Sequence, residues 1–447
     1  MSDIRLKKGH DIRIAGVPSK ELVSGTSSTS IALIPIEFPS VKPKLLVKEG
    51  DAVTIGTPLF FDKVHPEIKF ASPGGGTIQK IQFGARRKIE RIIIALDKEE
   101  SALTTEIFTN NSLVSLGKEK VIETILSANL WHLIRQRPFN KIACPEDNPK
   151  AIFVSGLNTA PLSVDLELAL KGKEKEFQSG LDVLTNLTDG KTHLTLPKSS
   201  ILAGMKNVDI HTISGAHPAG NVGIQIHHID PINPHEVVWT VSAQHVVTIG
   251  KLFLSGVYDP SIVVSVGGPS VTSPEHISTR VGAPFTGLLE NRIEEGKHRI
   301  IHGDVLTGQK ASMRYYLGSY DTTLSVIPIS YERPVLGWIR PGTSKNAYSL
   351  TKTFLSFGKS LFNFSTLQNG AERGLVPFEV WEDMLPMDIL PNPLYRSILA
   401  KDVEEMEKLG IYECDPEDFA LCSFACPSKI DVGNAIKQGL ELMEKEG

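Results

Sequence analysis

The sequence predicts a multidomain protein of α/β and α+β class, with an all-β unit near its N-terminus and a helical domain at its C-terminus. The 447 residues exceed what one hydrophobic core usually holds. Short β-branched runs alternate with glycine-rich turns in residues 41–97. From about residue 110 to 255, apolar runs alternate instead with helical stretches, which is typical of a parallel sheet covered by helices.

The composition is that of an ordinary globular protein, with 41% hydrophobic and 22% charged residues. A net charge of −4 gives no reason to expect a nucleic acid as partner. Four cysteines are too few for a disulfide framework, so we expect a reducing compartment. The N-terminus lacks the apolar stretch of a secretory signal. The sequence contains no run of eighteen apolar residues, so no transmembrane segment is predicted.

The first predicted unit covers residues 1–98, an N-terminal segment followed by an all-β hammerhead. The phrase Val47–Val53 and the later Ser72–Ile78 resemble the biotinyl/lipoyl-like sandwich, also called the barrel-sandwich hybrid. Glycines in these phrases suit the left-handed corners of tight turns. The predicted strands are residues 44–48, 59–61, 68–71, 77–83 and 89–96.

Two features of the hammerhead invite a functional interpretation. Lys63 resembles the modified lysine of lipoyl domains, but nine residues separate it from Ser72, more than a lipoyl hairpin allows. We therefore expect an unmodified structural hammerhead, with a lipoyl or biotin carrier as the rival hypothesis. The basic turn Arg86–Lys88 is typical of a solvated tip, although it could also touch an anionic membrane surface or an acidic partner.

The second predicted unit is a Rossmann-like α/β domain over residues 99–257. A helix is expected over residues 118–136, because the following Arg137-Pro138 disfavours helical continuation. Strands are expected at 151–156 and 208–213, with helices at 162–186 and 235–254.

The loop between the strand at 208–213 and the next apolar segment is a candidate ligand contact. Its residues Gly215, His217, Gly220 and Asn221 could let a phosphate approach backbone N–H groups at a helix N-terminus. The loop matches neither G-x-G-x-x-G nor a Walker motif, so a tight strand-to-helix turn is the alternative. The histidines nearby lack the spacing of metal ligands, and we predict no metal site.

The rest of the chain is predicted to form a small ubiquitin-like α+β domain (SLBB-like) over residues 258–344 and a helical domain over 345–447. The small domain is inferred from strands at 262–266 and 324–328, separated by Gly267-Gly268-Pro269. Within the helical domain, residues 401–422 carry eight acidic and two basic side chains. This excess predicts an exposed face or a docking surface.

The segment Cys422-Ser423-Phe424-Ala425-Cys426-Pro427 repeats the last third of a ferredoxin motif, whose full form is C-x2-C-x2-C-x3-C-P. No C-x2-C occurs anywhere in the chain. At i and i+4 the two cysteines would share one helix face, where they could supply half of a metal site. We instead expect Cys422 and Cys426 to be a core-packed remnant of a cluster motif.

Four phrases together resemble the A subunit of the Na+-translocating NADH:quinone reductase (Nqr) family. They lie at Leu6–Pro18, Val47–Asp51, Ile213–Gly220 and Ala420–Pro427, and so span nearly the whole chain. The family is related to the C subunit of the Rnf complex and to the flavin-binding subunit of respiratory complex I. Because those relatives hold clusters through C-x2-C elements that are missing here, cluster ligation is not expected for this chain.

The resemblance implies a peripheral subunit on the cytoplasmic face of the bacterial inner membrane, contributing to quinone reduction and to assembly of a complex that exports Na+. It implies no tightly bound cofactor and no complete active site on this chain alone. Ubiquinone is the possible substrate, while NADH, flavins and iron–sulfur centres are expected on other subunits. The implied partners include integral membrane subunits. The alternative is a flavin- and NADH-binding electron-transfer subunit of Rnf type.

Overall fold

The computed structural model describes residues 2–332, 341–342, 345, 347–350, 360–370, 372–374 and 379–446. This part of the chain contains twenty strands and eleven α-helices. The strands are β1 Ser2–Arg5, β2 Leu22–Ser24, β3 Ser30–Leu33, β4 Pro43–Leu45, β5 Ala52–Val53, β6 Pro58–Asp62, β7 Lys69–Ala71, β8 Gly76–Phe83, β9 Ile89–Leu96, β10 Arg135–Arg137, β11 Lys141–Ile142, β12 Ala151–Ser155, β13 Lys191–Leu196, β14 Asp209–Ser214, β15 Val238–Ser242, β16 Ser261–Gly267, β17 Glu275–Arg280, β18 His298–His302, β19 Gln309–Ala311 and β20 Thr323–Pro328. The helices are α1 Lys118–Ser127, α2 Leu166–Leu170, α3 Glu174–Leu184, α4 Val222–Ile229, α5 Ala243–Ser255, α6 Phe285–Leu289, α7 Val380–Met384, α8 Pro391–Ala400, α9 Val403–Lys408, α10 Ala420–Ala425 and α11 Val432–Glu446.

The hammerhead consists of two small sheets packed face to face. One has the strand order β3-β9-β8-β5 and the other the order β4-β6-β7. Both sheets contribute to one core, in which Phe60 of β6 stacks on its neighbour Phe70 of β7 at a centroid distance of 4.2 Å. The strands β4 and β6 to β9 lie where the β-branched runs predict them.

The central α/β unit is built on a seven-stranded sheet of order β1-β14-β13-β12-β15-β10-β11. The first five strands of that order run parallel, whereas β10 and β11 are antiparallel additions at one edge. The edge strand β1 comes from the N-terminus of the chain, so the first residues belong to this sheet and not to the hammerhead. Sequence patterning did not predict β1, because its four residues are mostly exposed.

Two predicted helices of this unit are wrong in part. The helix at 118–136 ends at Ser127, since Asn129 adopts a left-handed conformation with φ 61°, and residues 135–137 form β10. The helix at 235–254 begins only at Ala243, where the Ser242 hydroxyl caps it, and residues 238–242 form β15. A short continuous apolar run does not distinguish a buried strand from a buried helix.

Helices cover both faces of this sheet. Ile152 and Val154 of β12 point into a core shared with α3 and α5, while Ala151 and Phe153 point to α4. The backbones of α3 and α5 approach closely at two glycines. A Cβ at Gly180 would lie 2.0 Å from the Val246 carbonyl oxygen, and one at Gly250 would lie 1.9 Å from that of Glu176.

The small α+β unit has a six-stranded sheet of order β19-β18-β20-β16-β17-β2. Its apolar face packs on α6 through Phe285 and Leu288. The edge strand β2 again comes from the N-terminal segment and pairs in parallel with β17. Residues 2–24 therefore join two sheets that the sequence assigns to later domains.

In the described part of the C-terminal unit, five helices, α7 to α11, surround a core that includes Trp381, Phe419 and Met406. The predicted helical content of 345–447 holds from Val380 onward, whereas residues 360–370 contain no helix. Residues 351–359 and 375–378 lie outside the described part of the chain. Among the described residues, no helix combines the length and apolarity needed to cross a membrane.

Replacing Gly250 by alanine tests the close contact of α3 with α5. Although alanine favours helix by about 1 kcal/mol, its Cβ would meet the Glu176 carbonyl. We expect Gly250→Ala to lower the free energy of unfolding by about 2 kcal/mol, measured by urea denaturation. Gly204, which has no atom within 4 Å of a built Cβ, is the matched control, and Gly204→Ala should change stability by less than about 0.5 kcal/mol. Equal effects of the two substitutions would contradict this account.

Candidate functional site

The loop of Gly215, His217, Gly220 and Asn221 lies at the carboxyl end of β14, directly before α4. In open α/β sheets, ligands bind beyond the carboxyl ends of parallel strands. Asn221 is the N-cap residue of α4, so the free N–H groups of the first helical turn point toward this loop. The sequence therefore places the candidate loop at the correct end of the sheet.

The N-terminal segment of the protein covers this loop. The amide of Leu6 donates to the Ser214 carbonyl at 2.8 Å, and the amide of His10 donates to the His217 carbonyl at 2.8 Å. In return, the amide of His217 donates to the Asp11 carboxylate at 2.9 Å. These bonds fix one side of the loop against the protein's own chain.

His217 is 3% exposed and lies beneath this cover. Its Nδ1 is 3.2 Å from the Thr159 hydroxyl, while its Nε2 has no hydrogen-bond partner among the described residues. Burial lowers the pKa of the imidazole, although the carboxylates of Asp304 and Asp11 act against the shift. The ring is therefore neutral at pH 7.

Gly220 allows a second close contact on the opposite side of the loop. Its amide donates to the Thr159 hydroxyl at 2.8 Å, and a Cβ at Gly220 would lie 2.4 Å from the Thr159 backbone nitrogen. The Gly220 carbonyl accepts the Gln225 side-chain amide at 3.2 Å. The missing side chain of Gly220 therefore allows the loop to pack closely against Thr159.

The N-terminus of α4 is occupied by a side chain from the C-terminal unit. The Asn221 side-chain amide donates to Asp418 Oδ1 at 3.0 Å. The other carboxyl oxygen, Oδ2, lies so close to Gly223 that a Cβ there would be 2.1 Å away. Asp418 is fully buried, so its carboxyl group packs against the first turn of α4, where Oδ2 has no hydrogen-bond partner among the described residues.

Asp418 belongs to a cluster of three carboxyl groups around Arg137, a residue of β10 that is 4% exposed. The guanidinium lies 2.6 Å from Asp415 Oδ2 and 2.8 Å from Glu417 Oε1. Burial, together with the nearby Glu417, raises the pKa of Asp418 well above its usual range. Glu417 is 38% exposed, so water screens its charge and the raised pKa belongs mainly to Asp418.

The acidic excess of residues 401–422 is thus divided between two surroundings. The acidic side chains at 402–407 are exposed along α9, as the sequence predicts. Those at 413–418 instead face the α/β unit, where Glu413 lies 2.8 Å from His227 Nδ1. The docking surface that the sequence predicts is therefore, in its second half, a contact within the chain.

The two cysteines of the truncated motif lie at the C-terminal unit's core. Cys422 and Cys426 are 0% and 1% exposed, on α10 and at its C-cap. The Cys422 thiol lies 3.5 Å from the Trp381 carbonyl, and burial raises its pKa. Cluster ligands are thiolates, which this surrounding disfavours. No group of three or more metal-ligating side chains occurs within the described residues.

A second polar junction connects three of the units and was missed by sequence reasoning. Glu37, beside the hammerhead, accepts the Ser319 amide at 3.0 Å. Burial and the neighbouring Asp321 raise the pKa of Glu37 to about 8, although Ser319 and Arg135 oppose the shift. Since 282 positions separate Glu37 from Ser319, no local pattern could indicate this pair.

Comparison with known proteins identifies the family. Domain models describe matches as the NqrA N-terminal barrel-sandwich hybrid domain at residues 4–97, the NqrA second alpha/beta domain at 116–258 and the NQRA C-terminal domain at 263–313. The A subunit of the Na(+)-translocating NADH-quinone reductase of Pasteurella multocida (strain Pm70) is 38% identical and covers 99% of this chain and 100% of its own length. The corresponding proteins of Haemophilus influenzae (strain ATCC 51907 / DSM 11121 / KW20 / Rd) and Histophilus somni (strain 2336) are each 39% identical, with the same coverage.

The chain belongs to the NqrA family, the A subunits of Na+-translocating NADH-quinone reductases. Membership confirms the predicted resemblance, and the matched domains confirm the barrel-sandwich hybrid and the α/β unit. Among solved structures, a chain of an NAD+-reducing nickel–iron hydrogenase in the H2-reduced state aligns with a TM-score of 0.37 and 10% identity, covering 74% of this chain and 61% of that chain. That likeness is too low to support an argument.

For this member of the NqrA family, the predicted loop residues do come together at one end of the sheet. Contacts with Leu6, Thr159 and Asp418 surround the loop, while its role as a ligand contact stays a prediction. Sequence reasoning missed the Arg137 cluster. Its one signal was the acidic excess of 401–422, which did not indicate the buried arginine that faces it.

Removing the Arg137 charge tests how the C-terminal unit is held. Arg137→Met would leave Asp415, Glu417 and Asp418 without their cation, and we expect the free energy of unfolding to fall by about 3 kcal/mol. Chemical denaturation monitored by tryptophan fluorescence would measure this. Arg5→Met is the control, because the Arg5 side chain is 72% exposed and should contribute less than about 1 kcal/mol. A similar loss from both variants would contradict the proposed docking.

The Glu37 junction predicts a pH dependence. Because the pKa of Glu37 rises from 4.5 to about 8 on folding, the folded protein binds more protons than the unfolded chain between those values. This group therefore makes stability decrease as pH increases from about 4.5 to about 8. Glu37→Gln, which resembles the protonated form, should flatten that part of a melting-temperature profile. Glu99→Gln at an exposed position should leave the profile unchanged, and an unaltered slope in Glu37→Gln would refute the assignment.

Proposed function

We propose that this chain is a peripheral, cytoplasmic-face subunit of a Na+-translocating NADH:quinone reductase, where it contributes to quinone reduction and to assembly of the complex. The observation that carries the proposal is the 38% identity to a protein of that name over 99% of the chain. In this assignment its partners are the other subunits of the complex, including those embedded in the membrane. Ubiquinone is the proposed electron acceptor, and Na+ export is the coupled process.

We further propose that the chain binds no flavin or iron–sulfur cluster tightly, and that NADH, flavins and clusters are handled by other subunits. The strongest support is the position of Asp418, whose carboxyl group packs against the first turn of α4. Hydrogen bonds with Leu6 and Thr159 engage two further parts of the loop. In this proposal, a flavin phosphate would reach the first turn of α4 only if the Asp418 side chain moved away.

The alternative, a flavin- and NADH-binding subunit of Rnf type, is favoured by the location of the loop at the carboxyl end of β14. The two proposals differ in the absorbance of the purified chain. We expect no flavin band near 450 nm and no iron–sulfur absorbance. A stoichiometric flavin that persists through gel filtration would favour the Rnf-type assignment and overturn the cofactor-free one.

Activity of the complex with and without this chain tests the main proposal. Because electron entry from NADH is assigned to other subunits, removing the chain should leave NADH oxidation with a soluble artificial acceptor largely intact. Quinone reduction and Na+ uptake into vesicles should fall at least tenfold and recover when the purified chain is added back. Full quinone reduction without the chain would contradict a part in that step. A complex that cannot be isolated without the chain would support the assembly role, and quinone-analogue crosslinking to the intact complex would then test contact with quinone.

A further inference from the structure

The end of the β8–β9 hairpin carries an exposed aromatic ring beside three consecutive cations. Phe83, the last residue of β8, is 49% exposed, and Arg86, Arg87 and Lys88 are all exposed. We call Phe83–Lys88 the hairpin tip. An apolar ring next to a basic run is the combination that binds at a membrane–water interface.

The fold itself does not use these charges. Among the described residues, no ion pair involves Arg86, Arg87 or Lys88, whereas most buried or half-buried arginines of this protein face a carboxylate or an aromatic ring. One carboxylate, Glu90, lies at the base of the hairpin, against Gly84 and 3.4 Å from the Gln82 amide. Three cations opposite one carboxylate leave the hairpin tip positive.

The backbone of the turn indicates that the arginines are not there for folding. Arg86 and Arg87 adopt left-handed conformations, with φ of 56° and 58°. Two successive positions of this kind favour asparagine and glycine, because a side chain at positive φ is strained. A pair of arginines therefore costs stability at this turn, and a strained turn kept by a folded protein points to function.

We propose that the hairpin tip binds an anionic lipid surface. The proposal rests on the proposed function, which places the chain beside a membrane. A lipid surface suits this tip because Phe83 and the three cations lie together at one exposed end of the β8–β9 hairpin, which combines an apolar group with positive charge. On a bilayer the cations would meet lipid headgroups while the Phe83 ring enters the interface.

The strength of such a contact fits an orienting role. Each basic residue near an anionic membrane strengthens binding about fivefold, so three residues give about a hundredfold. Such binding is reversible and measurable on vesicles, and it acts at high effective concentration once the chain is held by its partner subunits. The hairpin tip would then fix the orientation of the hammerhead relative to the bilayer.

The test uses the purified full-length chain and sedimented vesicles of phosphatidylcholine, with or without 30% phosphatidylglycerol. We expect binding to the anionic vesicles alone, weakened by raising NaCl from 50 to 300 mM. The double variant Arg86→Asn with Arg87→Gly should bind about 25-fold more weakly, yet unfold at the same or a higher temperature because the turn is relieved. Phe83→Ser should weaken binding at both salt concentrations.

A charge-matched control keeps the result specific. Lys437→Gln with Lys445→Gln removes two exposed cations from α11 and should bind vesicles as the parent chain does. Equal losses in the two double variants would show a net-charge effect and overturn the proposal. So would absent vesicle binding by the parent chain, or tip-dependent binding to polyglutamate in place of vesicles. Because no other subunit takes part, failure here is distinguishable from failure of the quinone-reduction experiments.

Discussion

The contact of residues 413–418 with Arg137 and the N-terminus of α4 is the interaction on which the arrangement of the candidate site depends. It places three carboxyl groups at the end of the parallel sheet, where one buried guanidinium faces them. The carboxyl groups of Asp415 and Asp418 are buried, and burying them without a cation nearby would destabilise the fold. Pairing with Arg137 therefore keeps the C-terminal unit docked on the α/β unit. The docked unit in turn covers the loop between β14 and α4.

The N-terminal segment reinforces this arrangement because it passes through three units before the hammerhead begins. Residues 2–5 extend the α/β sheet, Ile12 and Ile14 enter the C-terminal core, and residues 22–24 extend the small α+β sheet. A segment shared in this way restrains movement of each unit relative to the others. The predicted domains are consecutive stretches of sequence. In the folded chain, however, β1 and β2 of the N-terminal segment belong to the sheets of two later domains.

Sequence reasoning succeeded where a local pattern carries the structure and failed where distant residues create it. The hammerhead strands β6 to β9 follow from alternating β-branched runs and turn glycines, and β12 and β14 follow from compact apolar runs. In contrast, the sequence predicts helix where β15 forms, because Val238–Ser242 is largely apolar and adjoins α5. Arg137 sits before a proline with no local sign of burial, and its partner Glu417 lies 280 positions away.

The truncated cysteine motif and the glycine loop illustrate one physical point. Each has a local sequence that could bind a group, a metal cluster for the cysteines and an anion for the loop. In each case the surrounding side chains determine whether such binding is favoured. Cys422 and Cys426 lie in an apolar core, and burial raises the pKa of the Cys422 thiol, so helical spacing alone does not make the pair a cluster site. The α4 N-terminus likewise has free N–H groups, but the Asp418 carboxyl group packs against the same helical turn. A motif therefore indicates a binding site only when side chains from distant parts of the sequence leave the ligand's position free.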